Sequence, residues 1–306
     1  MSTWHALVDS DGFRTFSKRG AGRAVFRSAS FRRLDTARRY TLGAYRAWRA
    51  PTQFSDVHSF VGFVGHNKSG SSLLGALLDA HPDVVLSDEV DALRYVAAGF
   101  PRDHVFTQAL RGAATEARKG RVTARRLEPY SYAVPGQWQG RTERPLVVGD
   151  STTGTTTRRL GADPALLERL ERSMDPVRLR FLHVVRNPFD PISVMMVRGR
   201  RSFADAIDHY FTACDTLVSL SRRIGPDRIT SVRYEDVTAA PASTLRRVCD
   251  FVGVDVPEGY LDACSSLVRP APVRDRTRVR WPTARVSAVE ARMTDYDFLA
   301  GYGYGH

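Results

Sequence analysis

The chain has 306 residues, of which 42% are hydrophobic and 25% are charged, enough for one sizeable core in one or two domains. No apolar run is long enough to cross a bilayer, and the amino-terminal residues lack the apolar stretch of a secretory signal. The three cysteines lie far apart, with no CxxC and no histidine at metal spacing, which argues against a disulfide framework or a zinc site. We therefore expect a protein of a reducing compartment, the cytoplasm, with no metal.

The net charge of +12 is unevenly distributed along the chain. Residues 1–50 contain eleven Lys and Arg against three Asp, so this segment contributes +8 and the rest of the chain only +4. We interpret residues 1–54 as a basic helical extension and residues 55–306 as one domain. Only three of the 45 basic residues are lysine, so a lysine within a glycine-rich loop points to a need for a compact cation.

Within the extension, apolar residues recur at helical spacing from Phe31 to Trp48 with arginines between them, and Pro51 ends the pattern. The pattern predicts a basic amphipathic helix. Such a helix either packs on the body and exposes its arginines to water, or makes peripheral contact with a membrane surface or an acidic substrate. The basic extension also leaves open an alternative to an enzyme, namely a basic protein that binds membranes or nucleic acid. Because the body is nearly balanced in charge and carries no nucleic-acid motif, we expect no nucleic-acid partner.

Short apolar runs of strand length alternate with helical stretches along the body. The predicted strands lie at 59–65, 84–86, 146–148, 180–185 and 229–232. The predicted helices lie at 73–80, 89–99, 104–119, 163–173, 202–224, 241–252 and 286–300. This alternation favours an α/β fold with a central parallel sheet covered by helices on both faces.

The segment Gly65-His-Asn-Lys68-Ser-Gly70-Ser-Ser72 lies between a predicted buried strand and a predicted helix. Its small residues let the backbone approach a phosphate, and N–H groups at a helix start point toward an anion. Lys68 would add a positive point charge, whereas an ordinary strand-to-helix turn is the structural alternative. In a Walker A sequence the lysine directly follows the second glycine, so the order here disfavours a metal-dependent kinase or NTPase.

Further segments accompany this loop in a fixed order. They are Leu78-Asp-Ala-His-Pro-Asp83, Arg186-Asn-Pro-Phe-Asp190, Val232-Arg-Tyr-Glu-Asp236 with Phe251-Val-Gly253, and the basic loop from Arg274 to Trp281. Together they resemble sulfotransferases that use 3′-phosphoadenosine 5′-phosphosulfate (PAPS), particularly the carbohydrate, protein-tyrosine and bacterial branches, over roughly residues 58–304. The resemblance implies a P-loop NTPase-like three-layer fold, in-line sulfuryl transfer without a metal, and adenosine 3′,5′-bisphosphate (PAP) as product.

The resemblance also implies ligand contacts for individual residues. The 5′-phosphosulfate would be held by the loop residues Lys68, Ser69, Gly70, Ser71 and Ser72, with Lys68 stabilising charge on the bridging oxygen. Arg186 and Ser193 would bind the 3′-phosphate, although the family's usual serine position, eight residues after the arginine, is Val194 here. The remaining contacts, which would close over the nucleotide, are Arg274, Arg276 and Arg278.

The local sequence around Arg186 independently predicts that this arginine lies at a phosphate-binding position. This arginine follows a predicted strand, and Asn187 and Pro188 suit the cap and first position of a helix. Open α/β sheets bind ligands at this end of their strands, where an arginine can grip phosphate with two nitrogens. The alternative is a surface ion pair at a helix start.

An acceptor that loses a proton requires a base. The resemblance places a glutamate of the protein-tyrosine branch at Glu89, for which the alternative is a capping carboxylate at the start of the predicted 89–99 helix. His66 is the second candidate, since histidine suits proton transfer near neutral pH.

The segment Gly149-Asp-Ser-Thr-Thr-Gly154 follows another predicted strand and offers Asp150, Ser151 and Thr152 as acceptor contacts. Many sulfotransferases carry a lysine where this chain has Ser151. The GDS tripeptide also resembles the nucleophile block of GDSL-type esterases, but no histidine here lies three residues after an aspartate, so that reaction lacks its base. We expect a sugar or glycolipid hydroxyl as acceptor, with tyrosine or a small natural product next. The sequence does not indicate an oligomeric state.

Overall fold

The computed structural model describes residues 29–88, 90–122, 130–269 and 274–305. Its strands are β1 (Ser59–Gly65), β2 (Val84–Ser87), β3 (Val147–Asp150), β4 (Arg178–Val185) and β5 (Ile229–Arg233). Across the described residues they form one five-stranded sheet in the order β2-β3-β1-β4-β5, and every neighbouring pair is parallel. All the predicted strands are present to within two residues at each end.

The helices are numbered from the first one described. They are α1 (Ala29–Arg49), α2 (Ser71–Leu78), α3 (Ala92–Ala97), α4 (Arg102–Arg118), α5 (Thr153–Ala162), α6 (Ala165–Met174), α7 (Phe189–Gly199), α8 (Phe203–Ile224), α9 (Tyr234–Ala239), α10 (Pro241–Val252), α11 (Tyr260–Leu267) and α12 (Thr283–Met293). A 3₁₀ turn, Asp275–Arg278, precedes α12. Within the described ranges, no helix combines the length and apolar character that a membrane crossing requires.

Helices cover both faces of the sheet, because successive side chains of a strand point to opposite faces. Phe60 and Val64 of β1 pack with side chains from α3, α4, α6 and α8. Val61 and Phe63 of the same strand pack with α2, α10 and α11 on the other face. The predicted α/β fold, with a central parallel sheet flanked by helices, is therefore confirmed.

Some helix boundaries differ from the prediction for local reasons. The predicted 89–99 helix begins only at Ala92, because Asp91 before it has a left-handed backbone with φ of 59°. The predicted 286–300 helix ends at Met293, and residues 297–299 form a separate 3₁₀ turn. Helix α5 is absent from the prediction because its sequence TGTTTRRLGA is rich in residues with poor helix propensity.

Helix α1 is the amphipathic helix predicted for the extension, and one of its faces packs along α4. Gly43 lies so close to His104 that a Cβ at position 43 would be 2.7 Å from the imidazole ring. Further along, Gln108 donates to the carbonyl of Arg39 at 3.2 Å. The two helices run antiparallel, since residues 43 and 39 meet residues 104 and 108. The predicted domain boundary near residue 55 stays a prediction.

Candidate functional site

The candidate residues meet at one edge of the sheet, where all five strands end. Parallel strands place their carboxyl ends together, which is where open α/β sheets bind ligands. Strand β1 leads into the 66–70 loop, β3 ends at Asp150, and β4 leads directly into Arg186. Strand β5 leads into Tyr234 on the far side of β4.

The loop between β1 and α2 presents hydrogen-bond donors that no described residue uses. The Ser69 hydroxyl is buried and has no partner among the described residues. The backbone N–H groups of residues 69–72 likewise donate to no acceptor among the residues that the structure describes. Lys68 and Gly70 have positive φ angles of 72° and 100°, which turn the backbone sharply at the helix start. Buried donors without acceptors are costly, so this loop suits an anionic ligand.

The base of the loop is held by α5. The hydroxyl of Thr157 accepts from the Gly65 N–H at 2.8 Å, and it lies 3.1 Å from the Gly65 carbonyl oxygen. The Asn67 side-chain oxygen accepts from the N–H of Gly154 at 3.2 Å. These contacts fix the direction in which the loop leaves the strand.

Gly70 is required by both its backbone and its neighbour. A side chain is strained at φ of 100°, and a Cβ there would lie 2.2 Å from the ring of Tyr234. The guanidinium of Arg186 stands 5.0 Å over the centre of that same ring. Tyr234 therefore connects the β1 loop to the end of β4, a contact that the sequence analysis did not identify.

Arg186 is buried at the end of β4 and contacts the loop directly. Its Nη1 donates to the Lys68 carbonyl oxygen at 3.1 Å, so the two predicted phosphate contacts are neighbours. Its Nη2 donates to Oδ2 of Asp275 at 3.2 Å. The placement of Arg186 at the strand end is as predicted.

Asp190 joins Arg186 to the basic loop before α12. Its carboxylate accepts from the backbone N–H of Arg276 at 2.9 Å and from Nη1 of Arg276 at 2.8 Å. It also lies 3.5 Å from Nε of Arg186. Burial raises the pKa of Asp190, and the two arginines oppose that shift. The sequence signal for Asp190 was its place in the first turn of the helix that follows Arg186, close to the end of β4.

The other predicted nucleotide contacts occupy different environments. Arg274 is exposed, and Arg278 is exposed with Nη1 3.5 Å from Asp275. Ser193 is fully buried, and its hydroxyl accepts from Nε1 of Trp281 at 3.0 Å. Of the three arginines predicted to contact the nucleotide, Arg276 alone is buried, and it lies beside Asp190. The ligand contacts proposed for all of these residues stay predictions.

The predicted acceptor contacts after β3 take part in a hydrogen-bond network of their own. Asp150 accepts from the Ser87 hydroxyl at 3.0 Å, from the Ala92 N–H at 2.8 Å and from the Thr152 hydroxyl at 3.0 Å. Burial raises the pKa of Asp150 to about 6, against these hydrogen bonds. The hydroxyl of Ser151 donates to Asp88 at 3.0 Å, so its partner is a carboxylate and not the imidazole that an esterase nucleophile needs.

Of the two candidate bases, the structure describes only His66. Glu89 lies outside the described residues. His66 stacks on Tyr210 with ring centres 3.9 Å apart, and its Nε2 lies 3.4 Å from the Cys214 sulfur. Desolvation, with a contribution from other histidines, lowers the pKa of His66 to about 3. A histidine with this pKa is neutral at pH 7 and is a weak base.

The groups at this edge suit an anionic ligand. Lys68, Arg186, the loop N–H groups and the Ser69 hydroxyl are all donors, and they suit phosphate or sulfate oxygens. Among the residues that the structure describes, no group of three or more His, Cys, Asp or Glu side chains is placed to hold a metal ion.

Comparison with known proteins gives a family match and several structural similarities. Residues 176–258 match the sequence model of the sulfotransferase family. No curated protein sequence matches the chain. The chain is similar to the sulfotransferase domain of the Synechococcus PCC 7002 olefin synthase, with 21% identity, a TM-score of 0.47, and coverage of 79% of this chain and 96% of that one. It is also similar to sulfotransferase STF9 from Mycobacterium avium, with 11% identity, a TM-score of 0.49, and coverage of 88% and 84%.

A third similar structure is mouse sulfotransferase SULT7A1 complexed with PAP, with 12% identity, a TM-score of 0.40, and coverage of 80% of this chain and 86% of that one. The family match covers strand β4, Arg186, Asp190 and Tyr234, which lie at the sheet edge described above. The resemblance to sulfotransferases expected from the sequence is therefore confirmed over residues 176–258.

Proposed function

We propose that the protein transfers a sulfuryl group from PAPS to an acceptor hydroxyl and releases PAP. The observation that carries this proposal is the loop of residues 68–72, where a buried Ser69 hydroxyl and unused N–H groups lie beside Arg186. The family match over residues 176–258 supports sulfotransferase activity, whereas PAPS as donor and a hydroxyl as acceptor are our inferences. A P-loop-like role of the 68–72 loop belongs to the same proposal.

The arrangement fits the shape of the proposed donor. PAPS carries its 5′-phosphosulfate and its 3′-phosphate on one ribose, so their two binding sites must be neighbours. The hydrogen bond between Arg186 and the Lys68 carbonyl oxygen supplies this proximity. The loop would take the 5′-phosphosulfate, and Arg186, with Ser193 and the arginines Arg274, Arg276 and Arg278, would take the 3′-phosphate.

In the proposed reaction the acceptor oxygen attacks sulfur, and the bond between sulfur and the bridging phosphate oxygen breaks. Negative charge then develops on that oxygen, where the Lys68 ammonium and the loop N–H groups would stabilise it. The acceptor proton passes to a base, for which we propose Glu89 ahead of His66. Alignment of donor and acceptor by the rigid strand ends supplies the other large contribution.

Acceptor binding is proposed for the residues after β3, next to the loop. Thr152 is partly exposed, whereas Asp150 and Ser151 are buried and would act by holding the local backbone. Sugar or glycolipid hydroxyls remain our first choice of acceptor. The three cysteines are free and buried, which agrees with the reducing cytoplasm that we propose as the location.

The test is transfer of sulfur-labelled sulfuryl from PAPS to a panel of sugar, glycolipid, phenol and small hydroxyl acceptors. Lys68→Ala should lower kcat about 100-fold or more, the usual cost of removing one transition-state donor. Lys119→Ala removes an exposed lysine that pairs with Glu116, and it should leave kcat unchanged. Glu89→Gln and His66→Gln identify the base, because only loss of the true base removes the low-pH limb of the rate profile, where protonation of that base lowers the rate. Wild type that binds PAPS but transfers to no acceptor class would overturn the proposal.

A further inference from the structure

Helix α1 carries an exposed apolar stripe on the side that faces away from the body. Leu34 is 67% exposed, Tyr45 44% and Trp48 78%. With Thr41, which is also exposed, these residues recur at spacings of seven, four and three and therefore share one side of the helix. Large apolar side chains are seldom left this exposed in a group unless the surface contacts something.

The opposite face of α1 is fixed on the body, so the direction of the stripe is fixed as well. Gly43 sits against His104, and Tyr40 makes an edge contact with Phe100 at 5.2 Å between ring centres. Asp35 accepts from Nη2 of Arg94 at 2.9 Å. These contacts run from Asp35 to Gly43, the middle part of the helix.

Positive charge surrounds the stripe. The helix sequence contains six arginines and one acidic residue, Asp35, which already pairs with Arg38, Arg39 and Arg94. Arg33, Arg46 and Arg49 are exposed, and none of them forms an ion pair with a residue that the structure describes. An occupant of this surface must therefore be apolar where the stripe lies and negative at its borders.

Among possible occupants, an anionic membrane surface fits these features best. Trp and Tyr are favoured at the boundary between headgroups and acyl chains, and arginine stems can lie along apolar surface while their charge reaches the phosphates. A second copy of the chain would bring two sets of unpaired arginines together, which like-charge repulsion opposes.

The direction in which α1 runs shows which end of this surface lies toward the candidate site. The helix runs antiparallel to α4, and α4 reaches the carboxyl end of β2, where Gly112 packs against Ser87 and Val90. The amino-terminal end of α1 therefore points to the sheet edge that carries Lys68.

We infer that the α1 stripe of Leu34, Tyr45 and Trp48, with its bordering arginines, is a docking surface for anionic lipid membranes. This inference is independent of the proposed reaction, because it uses none of the residues that would bind the nucleotide.

The test is co-sedimentation of the full chain with vesicles of phosphatidylcholine alone, and with vesicles of phosphatidylcholine and phosphatidylglycerol in equal amounts. Wild type should partition at least tenfold more strongly into the anionic vesicles, and added salt should weaken this binding. Replacing both apolar ends of the stripe, Leu34→Ser with Trp48→Ser, should lower partitioning at least tenfold. Val197→Ser is the matched control, since Val197 is 56% exposed on α7 away from the stripe, and it should bind as wild type does.

Three results would overturn the inference. One is equal binding to both vesicle types, and another is full binding by the double variant. The third is evidence for another occupant of the surface. Such evidence would be either a dimer in sedimentation equilibrium that the double variant dissociates or tighter binding to duplex DNA than to the anionic vesicles. Affinity for PAP, measured on the same variants, should equal that of wild type, so that failure here is distinct from failure of the proposed function.

Discussion

Arg186 and Asp275 form a buried ion pair, with Nη2 of Arg186 donating to Oδ2 of Asp275 at 3.2 Å. Asp190 and Arg276 complete the group, and the four side chains together carry no net charge. The guanidinium edge that would grip a 3′-phosphate is therefore already occupied by a carboxylate from the basic loop. A phosphate that binds Arg186 must compete with Asp275.

We predict that Asp275→Asn raises the affinity for PAP. The substitution keeps the shape of the side chain but removes its charge, so the positive potential of Arg186 becomes available to phosphate. A gain of about fivefold, or ~1 kcal/mol, is expected in isothermal titration. Asp262→Asn, on the exposed side of α11, changes net charge equally and should leave affinity unaltered. A lower affinity of the Asp275 variant would mean instead that Asp275 holds Arg186 in its binding position.

Ser69→Ala should act in opposite directions on stability and on binding. The buried hydroxyl has no partner among the described residues, so its removal should raise the free energy of unfolding by about 1 kcal/mol. The same change should weaken PAP binding about tenfold, or ~1.4 kcal/mol, because one phosphate contact is lost. Urea unfolding and titration measure the two effects. Lowered stability with unchanged PAP affinity would contradict the role given to this loop.

Ser193→Ala provides the comparison for Ser69. Removing the Ser193 hydroxyl leaves the buried Nε1 of Trp281 without an acceptor, which should lower the free energy of unfolding by about 1–3 kcal/mol. A parallel loss of PAP affinity would support the predicted contact between Ser193 and the 3′-phosphate. Unchanged affinity would limit Ser193 to holding Trp281.

Gly70→Ala should weaken nucleotide binding. The new Cβ would lie 2.2 Å from the Tyr234 ring, so either the loop or the ring that supports Arg186 must move. We expect PAP affinity to fall more than tenfold, or ~1.4 kcal/mol. Gly99→Ala is the control, because Gly99 has φ of 77° with no atom within 4 Å of the new Cβ. That variant should lose about 1 kcal/mol of stability from backbone strain alone and keep its affinity. Equal PAP affinities for the two variants would contradict the account.

The neutral state of His66 predicts a specific pH dependence of stability. Burial lowers the pKa of His66 to about 3 from 6.5, so between these values the unfolded chain binds a proton that the native protein does not. Stability from this residue is therefore present above pH 6.5 and is lost progressively as the pH falls toward 3, by up to ~1.4 kcal/mol per pH unit. Chemical unfolding from pH 7 to 4.5 should show a shallower decline for His66→Gln than for wild type. Parallel profiles would show that His66 is protonated in the native protein.

The sequence predicts the position of Arg186 better than that of Ser193, for a geometric reason. Any residue directly after a parallel strand arrives at the same sheet edge, so strand polarity alone locates Arg186. Ser193 lies within a helix, where one residue of offset from the family's position rotates the side chain by about 100°. That rotation directs its hydroxyl to Trp281 in the core.

Contacts between distant segments could not be read from the sequence. Tyr234 is simply the first residue after β5, and nothing in its neighbourhood indicates that it fills the space above Gly70. Asp275 lies between Arg274 and Arg276, so the basic composition of this loop does not indicate that one carboxylate pairs with Arg186. The buried Asp150 carboxylate accepts hydrogen bonds from Ser87 and Ala92, which belong to another strand and to the helix after that strand.

The most direct test of the central claim is isothermal titration of PAP into wild type, Arg186→Ala and Arg178→Ala. Both arginines belong to the β4 region, but Arg178 begins the strand at the opposite edge of the sheet. The account predicts that wild type and Arg178→Ala bind PAP with equal affinity and that Arg186→Ala loses at least 100-fold, or ~2.7 kcal/mol. Folded wild type that does not bind PAP, or equal binding by all three proteins, would contradict the assignment of a nucleotide site to this edge.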